Sequence, residues 1–516
     1  MMRPGEKRIY AMSEIFAPMA LHALGRLSGD LEAFQSELML EFYGNYAGLK
    51  DDFSTSAIYD RYPHLFSQET LDELSITPDE NGDPEELRRT RFLRAFATMG
   101  RLDSAVKELT DRASTYETTS TVNLDGEEIP YRVIPVRLRN EADPERRRTL
   151  FDAKLVETRK LNEILLARMG TVHDMATELG FKNYTHLCSE SKGIDYIAFA
   201  DEMEMLLRRT EGIYETAMDD LVGRMTGRPL SETWSYDIPF VFRGADFDAH
   251  FRGERLLDAF QATLKGMGLD PAARPNIVLD TEDRPKKTPR AFCAPIKVPD
   301  DVRLVIKPTG GWRDFEALFH EGGHAWHFGN ADRTLPAEYR YLGDNSVTEG
   351  FAFLFNYLPT NSLWLKANLG MEDPEEYVRF ALTNKLMFLR RYASKMLYEL
   401  KLHSSTVNEE FGEVYRVCLQ KGLRFGHTGH HYLEDVDDAF YCVDYLRAWI
   451  FEGQLRQALE EKYTERWFEN PKAGEYLMEL WSYGQKYTAE EFAKLVGYVD
   501  LDPESVLQEI ERGLEQ

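Results

Sequence analysis

The sequence predicts a mainly α-helical protein with a small β-sheet set just before a metal-binding helix. Three observations carry this reading. Apolar residues recur at helical spacing through most of the chain, before residue 274 and after residue 311. Between Arg274 and Gly311 that pattern gives way to short strand-like runs. Directly after them stands His320-Glu321-Gly322-Gly323-His324, an H-E-x-x-H motif.

The totals bound the rest. The 516 residues, 43% hydrophobic and 12% aromatic, suffice for a large core in one elongated domain or two to three lobes. A net charge of −26 argues against a general nucleic-acid or anionic-membrane partner. Cys188, Cys293, Cys418 and Cys442 lie far apart with no C-x-x-C, which suits reduced thiols and offers no cysteine metal site. The opening MMRPGEKRIYAMSEIF has no apolar leader core, and no 18-residue apolar run follows. These features lead us to expect a soluble, cytoplasmic protein. They leave the oligomeric state open.

Residues 1–118 read as helices. Within 118–138, Asp125-Gly126 between two alternating segments signals a hairpin. Residues 141–179 and 196–225 each read as one long amphipathic helix. A soft boundary near 190 divides an N-terminal helical lobe (1–190, with the hairpin near 119–138) from a catalytic lobe (191–516). The sheet (275–311) belongs to the second lobe. Its strands are residues 277–280 and 302–307, with a loop and possible strand at 286–295 between them. An edge strand there either holds an extended peptide by main-chain hydrogen bonds or packs under the next helix. Helices resume after Glu349, with long ones at 373–403 and 409–425.

The motif helix is the chemical centre. Phe315, Leu318, Phe319, Ala325 and Trp326 form an apolar stripe, and Asp314 is placed to cap its start. Four residues apart on one face, His320 and His324 reach one Zn²⁺ at about 2.0–2.1 Å. Glu321, offset by about 100° around the helix, lies beside the metal's water as its proton acceptor. Gly322 and Gly323 each cost about 1 kcal/mol of helix propensity against Ala, which implies a close approach by another backbone or a ligand. A zinc hydrolase needs a third protein ligand. Glu338, Asp344 and Glu349 are the candidates. Glu349, in the first turn of a second apolar helix, is the choice, with Asp344 second. One zinc per chain is expected.

A second cluster lies downstream. Six of the 12 histidines fall at 320–327 and 427–431. Attack on a peptide carbonyl builds negative charge on its oxygen, which a Tyr O–H or imidazole N–H can share with a metal. By residue type the donors are His430 or His431, with Tyr441 and Tyr445. The alternative for the tyrosines is an aromatic core face.

These motifs resemble the thimet oligopeptidase and oligoendopeptidase F group of zinc metallopeptidases, of the gluzincin type. HEGGHAWH at 320–327 is similar to that group's H-E-F-G-H-x-x-H, with Gly322 in place of the usual aromatic residue. Lys287-Thr-Pro-Arg-Ala-Phe-Cys resembles the loop before its edge strand, and Ala439-Phe-Tyr-Cys-Val-Asp-Tyr445 its P-F-Y-x-x-D-Y. The likeness covers about residues 275–460. It implies a two-lobed helical fold with a deep central cleft and short unstructured peptides as substrates. It also implies His320, His324 and Glu349 as zinc ligands, Glu321 as general base, and Tyr441, Tyr445 and His430 or His431 as transition-state donors. The interval from His430/His431 to Tyr441 is longer than in oligoendopeptidase F. After Glu349 the chain reads Gly-Phe-Ala-Phe-Leu-Phe-Asn356, where thimet-type members carry Pro-Ser-Gln and a further Glu. A thermolysin-like or aminopeptidase reading wants a Glu nearer the second histidine, yet position 342 is Leu and no Gly-x-Met-Glu-Asn occurs. Two alternatives stand beside an oligoendopeptidase: a carboxypeptidase or dipeptidyl carboxypeptidase of similar cleft fold, and a peptide-binding protein that keeps zinc without turnover.

Overall fold

The structure is a computed structural model that describes residues 6–50, 52–75 and 83–515. The first five residues of the N-terminal stretch, read above for a leader, lie outside it. Helices dominate, with two small sheets. No helix of the described residues is long and apolar enough to cross a membrane.

The helical N-terminal part holds long helices at Glu6–Tyr46 and Pro84–Thr119. The hairpin follows as β1 (Thr121–Leu124) and β2 (Glu127–Pro130), paired antiparallel. Asp125 and Gly126 both take positive φ, 53° and 86°, the conformation a tight two-residue hairpin turn demands. The next long helix, Pro144–Glu178, starts with Asp143 accepting from Glu145 N. The stretch expected as one helix over 196–225 is two, Tyr196–Arg209 and Glu211–Thr226. They part at Thr210, whose hydroxyl turns back to Leu206 O and also takes Arg390.

The second sheet has the order β3 (Ile277–Asp280), β5 (Asp301–Val305), β4 (Phe292–Lys297). β3 runs parallel to β5 and β4 antiparallel to it, so β4 is an edge strand. The loop before β4 is pinned from below. Buried Lys287 donates to Asp280 O, Asp280 Oδ1 and Glu282 O at 2.8–3.0 Å.

The motif helix spans Trp312–Gly329 and buries all five residues of the expected stripe. It begins two residues earlier than Asp314, which is therefore not its cap. Asp314 sits inside the first turn and accepts from Thr309 N and Gly310 N, holding the preceding loop. The Glu349 helix (Asn345–Tyr357) packs against it on one side and against the tyrosine helix (Tyr441–Tyr463) on the other. Glycines set these approaches. A Cβ on Gly323 would lie 2.5 Å from Ala352 Cα and 2.6 Å from Phe351 O, and one on Gly350 would run into Phe451. The largest core takes Met169, Val172 and Leu187 from before residue 190 and Phe315, Phe351 and Phe451 from after it. Glu338, the third candidate ligand, is fully buried in a short helix, Ala337–Tyr341. There it accepts from Ser28 and Arg89, tying the N-terminal helices to the C-terminal half.

Candidate active site

His320 and His324 stand one turn apart on the motif helix, and the Glu349 helix brings its carboxylate across to both. Glu349 Oε2 lies 3.3 Å from His320 Nε2 and 3.5 Å from His324 Nε2. One donor atom from each of the three residues falls within 4.8 Å of the others. Two interactions orient these three residues from behind. His324 Nδ1 is 2.8 Å from Thr348 Oγ1, so a proton on Nδ1 leaves Nε2 with its lone pair facing Glu349. The Tyr441 O–H donates to Glu349 Oε1 at 2.6 Å. The other carboxylate oxygen, Oε2, is buried with no hydrogen-bond partner.

That orphaned oxygen is a direct test of whether a cation fits. A buried, ionised oxygen without a donor is costly unless a positive charge faces it. Two imidazole nitrogens and a carboxylate oxygen also match the set that leaves a catalytic zinc one open position. The residues therefore fit a divalent cation such as zinc.

Asp344, the second candidate ligand, is engaged elsewhere. It caps the Glu349 helix through Ser346 N at 3.0 Å and takes Arg447 at 2.8 Å. A second grouping, Glu399, Asp437 and Cys442, already holds the ammonium of Lys395, 2.7 Å from Asp437.

Glu321 follows the first histidine, and its Oε2 accepts from Cys293 N at 2.9 Å. The edge strand β4 thus fixes the rotamer of the candidate base. The tyrosines divide. Burial, then the Glu349 charge, raises the Tyr441 phenol well above its ordinary value, so it stays a donor, engaged on Glu349. Tyr445 stacks edge-on against Tyr441 at 5.0 Å, and burial likewise raises its phenol.

The two downstream histidines separate as well. His430 meets Arg159 at 3.2 Å in an exposed contact. Burial, then the charges of Arg159 and His431, lower its imidazole. His431 Nδ1 is 2.6 Å from Glu434 Oε2. Burial penalises the Glu434 charge, but His431 and Lys154 hold its carboxyl down at about 2. His431 lines a cavity of about 480 Å³ that shares Asn384 and Phe388 with a smaller one of about 80 Å³. Phe353 lines the smaller cavity, and its ring centre is 5.1 Å from that of His320. A larger concavity, about 1230 Å³, meets the smaller one at Tyr357, Thr360 and Leu382 and includes none of these site residues.

Sequence reasoning missed Thr348 and Glu434. Thr348 directly precedes Glu349, and Glu434 lies three residues after His431, so spacing alone could have raised both.

No family model matches the chain, and no curated protein matches it by sequence. Solved structures do match. One is a protein provisionally named oligoendopeptidase F, at a TM-score of 0.69 and 16% identity, covering 97% of this chain and 93% of that one. A second, with the same provisional name, is from Bacillus anthracis str. Ames, at 0.65 and 18%, covering 100% and 97%. A third is PZ peptidase A with an inhibitor, at 0.60 and 17%, covering 94% and 86%. Fold and site motifs point to one group: over nearly its whole length the chain has the fold of the oligoendopeptidase F and PZ peptidase structures.

Proposed function

We propose that the chain is a zinc-dependent metallopeptidase that cuts peptide bonds in short, unstructured peptides. The observation that carries this is the convergence of His320, His324 and Glu349 on one point, with Glu321, next in the chain to His320, held by Cys293 N. The fold shared with structures named as peptidases supports it.

Zinc held by His320, His324 and Glu349 would supply Lewis-acid activation of water and of a peptide carbonyl. Glu321 takes the proton from the attacking water and hands it to the leaving amine, the two transfers a positioned carboxylate can serve in turn. The bond from Cys293 N leaves its other oxygen to do this. Tyr445 and His431 are the donors for the charge that grows on the carbonyl oxygen. Glu434 supports His431 by fixing its ring. Tyr441 acts through Glu349, keeping the ligand carboxylate in place.

The test is product analysis by mass spectrometry on the zinc-loaded chain. The substrates are unblocked peptides, C-terminally amidated peptides and a folded globular protein. Internal cuts in both peptide sets, with the folded protein spared, are expected. Trimming only from a free C-terminus would make it a carboxypeptidase. Binding without cuts would overturn the enzyme reading.

A further inference from the structure

Buried guanidinium groups in this chain are satisfied as a rule: Arg147 by Asp237 at 2.7 Å, Arg447 by Asp344 at 2.8 Å, Arg456 by Glu452 at 2.7 Å, and Arg390 by Gly422 O, Leu207 O and the Thr210 hydroxyl. With 88 acidic against 62 basic residues, partners are plentiful. Arg139 and Arg313 depart from this. Both line the 480 Å³ cavity, beside the apolar walls of Leu138, Phe242 and Phe388. Each has a buried Nε with no hydrogen-bond partner. Arg313 donates once, to Phe242 O at 3.1 Å, and lies over the Trp312 ring. Arg139 makes no hydrogen bond or ion pair among the described residues.

The neighbouring charges do not satisfy them. Arg243 adds a third positive charge and is itself held by Asp248 at 2.8 Å. Glu316 is the carboxylate whose field reaches both arginines, and it forms no ion pair with either. At the far side of the cavity Arg391 already holds Asp435 and Lys154 holds Glu434. Burial, then the charges of Arg313 and Arg243, lower the Arg139 guanidinium below its ordinary value. Two adjacent cations without counter-ions in a half-apolar pocket make a seat for an anion that the chain does not supply.

Its position says which anion. Arg313, Glu316, His320 and His324 follow one face of the motif helix, and Arg313 precedes His320 by seven residues, about 10 Å along the axis. An extended peptide rises about 3.3 Å per residue, so that distance is about three residues. The geometry points to Arg139 and Arg313 as a specificity site for a carboxylate of the bound peptide, about three residues from the bond that is cut. The apolar walls take the adjoining side chain. The inference rests on the peptidase reading. The carboxylate is either the peptide's free C-terminus or an acidic side chain.

The experiment is calorimetric binding to the full zinc-loaded chain carrying Glu321→Gln. The probes are N-acetyl-Ala-Ala-Phe as free acid and as amide, and an amidated pair with Glu or Gln at one position. A carboxylate on paired arginines should bind about 10- to 100-fold tighter than its neutral partner in one of the pairs, and that pair names the source. Arg139→Gln and Arg313→Gln should each remove most of the advantage. Arg139→Gln breaks no hydrogen bond, so its unfolding midpoint should match the parent's, and it carries the test alone if Arg313→Gln does not fold. Equal binding of acid and neutral forms in both pairs overturns the proposal. So does a preference that survives Arg139→Gln, the result expected if the acid simply binds the metal. Failure of the peptidase reading shows separately, as absence of cleavage by the zinc-loaded wild-type chain.

Discussion

At the scale of single residues, the site asks pairs of similar side chains to do different things. Tyr441 hydrogen-bonds Glu349, whereas Tyr445 packs beside it with its hydroxyl bound to no described residue. Tyr445→Phe should therefore lower kcat by about 10²–10³-fold with zinc content unchanged, as expected for one lost oxyanion donor. Tyr441→Phe should instead weaken metal binding, by about 10–100-fold, the usual cost of losing a partner that orients a ligand. His431→Ala should cost turnover, and His430→Ala should be near neutral, since among the described residues the His430 imidazole hydrogen-bonds only exposed Arg159 and its other bonds, to Thr428 and Asn162, are made by its backbone. Steady-state kinetics with metal analysis on the four variants checks the set. Equal effects of the two histidine variants would count against the assignment. The sequence left these choices open because the deciding contacts are remote. Tyr441 meets Glu349 across 92 residues, and Asp344 is removed from the ligand set by Arg447, 103 residues away. By contrast, His320, Glu321 and His324 were legible because their geometry is local to one helix.

At the scale of elements, the helices are locked by missing side chains. Gly323 faces the backbone of the Glu349 helix at a distance no Cβ tolerates. Gly323→Ala should cost about 1–3 kcal/mol, as overpacking does, and should weaken zinc binding because it pushes Glu349 away from the histidines. Gly223, in the helix Glu211–Thr226, has nothing within 4 Å of the same position. Gly223→Ala should gain up to about 1 kcal/mol from helix propensity alone. Chemical denaturation of both variants decides it; a neutral Gly323→Ala would show that the helices part easily. The two glycines of the motif were readable as a sign of close approach. The partner was not, since its identity depends on which helix returns to that face. The small sheet, the hairpin turn and the helix over 144–178 were also legible, each from a local pattern. The break at Thr210 was not, because residues 196–225 are apolar at helical spacing throughout and the break is fixed by Arg390 from another helix.

At the scale of the whole molecule, buried charge should set how stability responds to pH. Glu399 is fully buried beside Lys395, Asp437 and Cys442, and burial pushes its carboxyl up to about 8 although Lys395 opposes this. The folded chain thus keeps a proton that the unfolded chain releases above its ordinary value of 4.5. The stability this gives is complete below 4.5 and is lost as pH rises to about 8. Glu399→Gln should flatten the fall across that window in thermal unfolding followed at a series of pH values; an unchanged slope would assign it to other groups. The overall architecture was legible only as a class. Periodicity announced helices, and the motifs announced which known fold they would build, but neither says how the N-terminal helices dock. That depends on Ser28 and Arg89 meeting Glu338, and on Arg340 meeting Glu32, contacts some 250 to 310 residues apart. The central claim is that this scaffold serves metal-assisted proton transfer through Glu321, from water to the leaving amine. The measurement that tests it most directly is turnover of a short unstructured peptide by the zinc-loaded wild type and by Glu321→Gln, each with its zinc content determined. We predict equal zinc in both and a loss in kcat of about 10⁴-fold or more, at or above the top of the range for a general acid–base group. Wild-type turnover in Glu321→Gln would contradict the account.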